Sequence, residues 1–142
     1  MRIENRTRKT VLGSRVVLAA TWWSRLRGFI GRDEPVAGEG ILLMPCNGVH
    51  SFGMGFSVDV LFLDGSGEVL EVVRSLAPWR RTGRVPGAYY VLEVPTGVID
   101  SSGTCVGDRL AWWDPAPLPV YDRIANAQSR QSRKSSSARE NQ

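Results

Sequence analysis

The chain has 142 residues, 42% of them hydrophobic and 23% charged, enough to bury one sizeable core. Its net charge of +4 is spread evenly: residues 1–113 hold 13 Lys+Arg against 11 Asp+Glu and residues 114–142 hold 5 against 3, which argues against a large phosphate-binding surface. No apolar run reaches the roughly 18–20 residues of a membrane span, and none follows the basic start at residues 1–10, so neither an anchor nor a secretory signal is expected.

In chain order, residues 3–5 read as a short strand and residues 16–20 as a better one, entered through Gly13-Ser14. Thr21 is placed to cap a helix. Trp22, Leu26 and Phe29 or Ile30 recur at helical spacing, so one short helix is expected near residues 21–31, closed by Gly31. Residues 33–40 form a loop, and residues 41–44 a short buried strand stopped by Pro45. Residues 58–63 are β-branched and aromatic, the mark of a buried strand. Asp64-Gly65-Ser66-Gly67 then supplies a tight turn, and residues 68–73 alternate in polarity, so the two strands should pair as an antiparallel hairpin. Residues 75–87 are a loop holding Trp79, Arg80, Arg81 and Arg84. Residues 88–94 are a strand, residues 98–103 a turn or single helical turn, and residues 109–113 the last strand.

From Asp114 onward Pro115, Pro117 and Pro119 space an extended linker, and residues 128–142 are almost wholly polar. Such a segment buries too little apolar area to offset its ordering entropy, so a single domain at 1–113 with a disordered basic tail is expected. The fold class is α+β, mostly β: a compact small barrel or sandwich of short, mainly antiparallel strands with one short helix.

The scarce chemical residue types gather between residues 44 and 64. Cys46 and the single histidine, His50, are spaced C-x3-H, which serves a nucleophile–base pair or two metal ligands. The same spacing serves a structural cysteine beside a hydrogen-bonded histidine. Zinc needs three or four ligands, and no second His or CxxC is present, so neither a metal nor a cofactor is expected. Two cysteines also make no disulfide framework, and a reduced, cytoplasmic setting is the expectation. Three glycines between residues 46 and 56 allow a ligand to approach the backbone closely. Asp59 lies inside an apolar strand, where an unpaired carboxylate costs several kcal/mol, so it should meet an arginine, backbone amides or His50. With Met54 and the helical Arg27, these residues make the candidate pocket: Cys46, His50, Met54, Asp59 and Arg27.

Basic and aromatic residues interleave twice, at Trp22, Trp23, Arg25, Arg27 and Arg32, and again at Trp79, Arg80, Arg81 and Arg84. That composition suits base stacking with phosphate contacts, and equally suits arginine stems lying over apolar surface. Neither a GxGxxG nor a GK[ST] phosphate loop occurs.

Ala20-Thr21, the run from Arg25 to Arg32, Gly40-Ile41-Leu42-Leu43, Met54, the run from Val58 to Asp64, Gly67, Val69, Val91-Leu92-Glu93, Gly97 and Gly107-Asp108 together resemble the domain of unknown function 192 over about residues 12 to 113. The resemblance implies a compact, mainly β domain with one short helix, and little about function. One stretch departs from it: where many members carry Phe-Trp-Met-Lys-Asn-Thr, this chain has Phe52-Gly53-Met54-Gly55-Phe56-Ser57. A site built on that Lys or Asn does not carry over, whereas Met54 and Asp59 do. The expected function is a small binding or accessory module with a loop pocket around residues 46–59, taking a small-molecule or peptide ligand and no membrane partner. A small enzyme using Cys46, His50 and Asp59, or a weak nucleic-acid binder acting through the Arg/Trp clusters, are the alternatives.

Overall fold

Among the residues described by the computed structural model (1–20, 29 and 31–113), the apolar runs become eight strands and one short helix. They are β1 (Arg2–Asn5), β2 (Thr10–Gly13), β3 (Arg15–Ala19), β4 (Glu39–Leu43), β5 (Val58–Leu63), β6 (Val69–Leu76), β7 (Tyr90–Pro95), α1 (Val98–Ser102) and β8 (Leu110–Trp113). The helix expected near residues 21–31 and the tail at 114–142 fall almost wholly outside the described residues. β2 was not anticipated: with only Val11 and Leu12 apolar it shows no period of its own, and it becomes a strand by pairing back on β1.

The strands form two sheets, ordered β2-β1-β8 and β3-β4-β7-β5-β6, which pack on each other without closing into a barrel. Every pairing is antiparallel except β3 with β4. A parallel pair needs a crossover of a dozen or more residues, and the 20–38 connection supplies it. The α+β, mostly β class therefore holds.

The expected hairpin forms, with Leu63 of β5 opposite Val69 of β6. The Asp64 carboxylate accepts from the Ser66 hydroxyl and from the Ser66 and Glu68 amides, and these bonds, the Ser66 hydroxyl foremost, hold it below the usual carboxylate range. Gly67 adopts φ 88°, and a Cβ there would run into the Leu110 carbonyl. Its own carbonyl accepts from the Leu110 amide at 2.9 Å, so the turn is also the seam between the two sheets.

Side-chain alternation gives the five-stranded sheet two apolar faces. On one, Leu42, Leu61 and Leu92 meet Ile3, Leu12 and Leu110 of the small sheet and Ile99 of α1. On the other, Ile41, Val58, Val60, Phe62 and Val91 are covered by Phe29, Met54 and Val85 from the loops. Each large side chain fully buried this way contributes about 1.5–3 kcal/mol. The second face matters for function, because its cover is made of loops. No helix among the described residues is long and apolar enough to cross a membrane.

Candidate functional site

Two of the chain segments that cover the second face are zipped together. Val85 donates its amide to the Asn47 carbonyl at 2.8 Å, Thr82 to Val49 at 2.9 Å, and Ser51 to Arg80 at 2.8 Å. The side chains of Thr82 and Ser51 reinforce this ladder. The Thr82 hydroxyl accepts from the Val49 amide at 3.1 Å, while buried Ser51 accepts from the Arg80 amide at 2.9 Å and donates to the Ala77 carbonyl. A loop rich in glycine thereby becomes a fixed platform.

What the platform presents is a row of rings. His50 lies 5.1 Å from Phe52, with the planes 31° apart, and Phe52 lies 6.1 Å from Trp79 at 26°. Phe52 is 44% exposed and Trp79 68%. Trp79 also holds φ 60°, a conformation that costs a bulky residue about 1–3 kcal/mol and persists only where surrounding bonds impose it. Here the Trp79 amide is tied to the Ser51 carbonyl at 3.0 Å. Residues 44–58 and 75–92 contain three arginines, Arg80, Arg81 and Arg84, and no Asp or Glu at all. All three arginines are exposed, and none makes an ion pair among the described residues, whereas Arg2, Arg8, Arg15 and Arg74 each meet an acid. The near-even charge of the whole domain thus hides a local concentration.

The sequence-derived pocket residues are dispersed around this platform. His50 is in the row, and its Nδ1 accepts from the Phe52 amide at 3.3 Å. Met54 is buried beneath, in the second apolar cluster, against which Cys46 also packs. The Cys46 thiol donates to the Gly48 carbonyl at 3.2 Å, and Cys46 is not bridged to Cys105. Arg27 lies outside the described residues. Asp59 shares its face of β5 with Leu61 and Leu63, on the side of the sheet opposite Met54. It is 1% exposed and meets backbone amides, one of the three partners anticipated for it: Ser75 at 2.9 Å, Gly97 at 3.1 Å and Ile99 at 3.0 Å. Gly97 has no side chain with which to cap α1, so Asp59 caps that helix from β5. Among the described residues no three His, Cys, Asp or Glu side chains are grouped to hold a metal.

Sequence reading used Glu93 only for the family likeness and gave it no place in the site. It lies in β7 between Ile41 of β4 and Val60 of β5, is 4% exposed, and leaves Oε2 without a hydrogen-bond partner among the described residues. Burial pushes its carboxyl up to about 7. The signal was available, since an acid inside an apolar strand is what singled out Asp59. Phe52 was missed for another reason: its partner Trp79 lies in a different loop. Two open cavities, of about 380 Å³ beside Arg15, Val17 and Ile41 and about 410 Å³ beside Arg2, Arg6 and Lys9, are lined by none of Cys46, His50, Met54 and Asp59.

A family model for DUF192, described as an uncharacterized ACR, matches residues 3–112. The chain belongs to the DUF192 family. A UPF0127 protein of Thermococcus sibiricus is 35% identical over 132 residues, 84% of this chain and 84% of its own. A crystal structure of a protein of unknown function from Novosphingobium aromaticivorans superposes with a TM-score of 0.68 at 20% identity, covering 78% of this chain and 82% of that one. A structure from Sinorhizobium meliloti gives 0.65, also at 20% identity, over 78% and 89%. Identities this low show the fold alone. Several residues that carry the family likeness hold the scaffold: Asp59 meets Gly97, Gly67 meets Leu110, and Val69 bonds with both Gly107 and Asp108. The stretch that departs from the family pattern, residues 52–57, starts at the exposed ring row.

Proposed function

We propose that the protein is a small binding module whose recognition face is the zipped loop pair, not a pocket closed around residues 46–59. The observation that carries this is the exposed, near-parallel row His50–Phe52–Trp79, fixed by Ser51. Monomeric soluble domains seldom leave contiguous aromatic surface open without a use for it. Rings already stacked on a rigid support lose little entropy when a ligand arrives, which favours binding of flat or apolar groups. The enzyme reading draws no support from the geometry, because Asp59 faces the other side of the sheet and is saturated by amides. A cytoplasmic setting accords with two cysteines that are not bridged to each other.

The test is a screen of small planar and anionic fragments against isotope-labelled protein, followed by amide chemical shifts. Perturbations should cluster at residues 50–53 and 79–82. Shifts confined to the cavity beside Arg15 and Ile41, or none anywhere, would refute this placement.

A further inference from the structure

We propose that the recognition face takes single-stranded nucleic acid, a base stacking on the outer side of Trp79 while Arg80, Arg81 and Arg84 meet the phosphates. This rests on the loop pair being the recognition face, and it adds the ligand class. Three independent observations converge on it.

The first is ring geometry. His50, Phe52 and Trp79 form an incomplete stack: Phe52 covers one side of the indole, and Trp79 remains 68% exposed at the end of the row. A planar group of indole size extends such a stack at little cost, and every nucleobase has a π-face to offer. The second is charge. Three exposed arginines with no acidic partner among the described residues flank the stack, and no carboxylate occurs in either loop. That leaves a local field suited to a backbone carrying one negative charge per nucleotide. Four further cations among the described residues are tied up elsewhere, as Arg2 is on Glu4, Arg8 on Asp108, Arg15 on Glu39 and Arg74 on Asp100.

The third observation decides against an extended acidic peptide, the other occupant with suitable charge. A peptide of that kind gains affinity by pairing its main chain with an open backbone edge. Here the facing backbone groups of the two loops are spent on each other, at Asn47–Val85, Val49–Thr82 and Ser51–Arg80. What remains available is ring faces and guanidinium groups, the pair of contacts that single strands use. The strained φ of Trp79 fits this, because the chain holds a tryptophan where glycine would sit without strain, and holds it outward.

The test uses the full chain and fluorescein-labelled oligo-dT and oligo-rU of about 12 nucleotides, with anisotropy read at roughly 50 and 200 mM salt. Inorganic polyphosphate of matched charge and a Glu-rich peptide serve as competitors. Trp79→Gly is the central variant, since glycine suits that φ and the fold should survive, checked by its melting curve. It should weaken oligonucleotide binding about 5- to 150-fold, the loss of one stacked base, while leaving the salt dependence unchanged. Arg81→Gln should instead flatten the salt slope by about 0.7. Oligonucleotide affinity that ignores Trp79→Gly, or that polyphosphate matches, would overturn the proposal, because charge alone would then explain it. Trp79-dependent binding of the Glu-rich peptide without oligonucleotide binding would also overturn it, yet leave the recognition face standing. If no probe responds to Trp79→Gly, both readings fall.

Discussion

Replacing Asp59 tests the scaffold most directly. Its Oδ1 accepts from the Ser75 amide at 2.9 Å, and its Oδ2 from the Gly97 and Ile99 amides at 3.1 and 3.0 Å. Asp59→Ala strands all three donors. Ile99 is fully buried, so its amide gains no water in exchange and should cost about 1–3 kcal/mol by itself. Ser75 and Gly97 are exposed residues whose amides can be partly rehydrated, so each should add less, about 0.5–1.5 kcal/mol. The expected total is about 2–6 kcal/mol, a large share of the roughly 5–15 kcal/mol that holds an ordinary domain together. Asp59→Asn is the sharper variant. Its single carbonyl oxygen can serve only one side, and its NH2 would face a donor on the other, so it should lose about half as much as Asp59→Ala. Urea unfolding followed by tryptophan fluorescence measures both, provided m stays constant between variants. Ser75→Gly is the control: Ser75 sits at φ 50° opposite Asp59, where β6 bulges, so glycine should be neutral or mildly stabilising. If Asp59→Ala costs under about 1 kcal/mol, or Asp59→Asn matches wild type, the carboxylate does not hold α1.

Glu93 supplies a pH dependence. Its folded pKa lies above its ordinary 4.5, at about 7, so the folded state binds the proton more tightly than the unfolded chain. Stability attributable to it is complete below about pH 4.5 and declines as pH rises through about 7, by about 3 kcal/mol in all. Glu93→Gln should remove that decline, and parallel stability–pH curves for the two proteins between pH 5 and 8 would contradict the assignment. Gly67→Ala should destabilise by roughly 2–4 kcal/mol through the left-handed φ and the collision with Leu110, read as a fall in urea midpoint. Cys46 should be alkylated more slowly than exposed Cys105 at neutral pH, at a rate that His50→Ala does not change. Fast, His50-dependent alkylation would revive the enzyme reading.

Where sequence reading fell short, the missing information was long-range. The candidate pocket grouped residues close in sequence, and the structure places the described ones on different sides of the large sheet. Alternation along β5 turns Asp59 to the face of the sheet opposite the one that Met54, five residues earlier, covers from its loop. The arginines were weighed by averaging charge over residues 1–113, an average that includes acids already paired elsewhere in the fold.

From the sequence alone came the mostly β class, the hairpin through Asp64–Gly67, the burial of Asp59 and its need for partners, and the family likeness. All of these rest on patterns within a few residues: alternation, turn chemistry, and the cost of a carboxylate in an apolar strand. Tertiary structure alone decided that Asp59 caps α1, that Glu93 is buried with its Oε2 unpaired among the described residues, and that two loops some thirty residues apart zip together into an aromatic and basic face. Those outcomes depend on sheet order and register, which bring distant backbone groups within hydrogen-bonding distance. No local pattern encodes that distance.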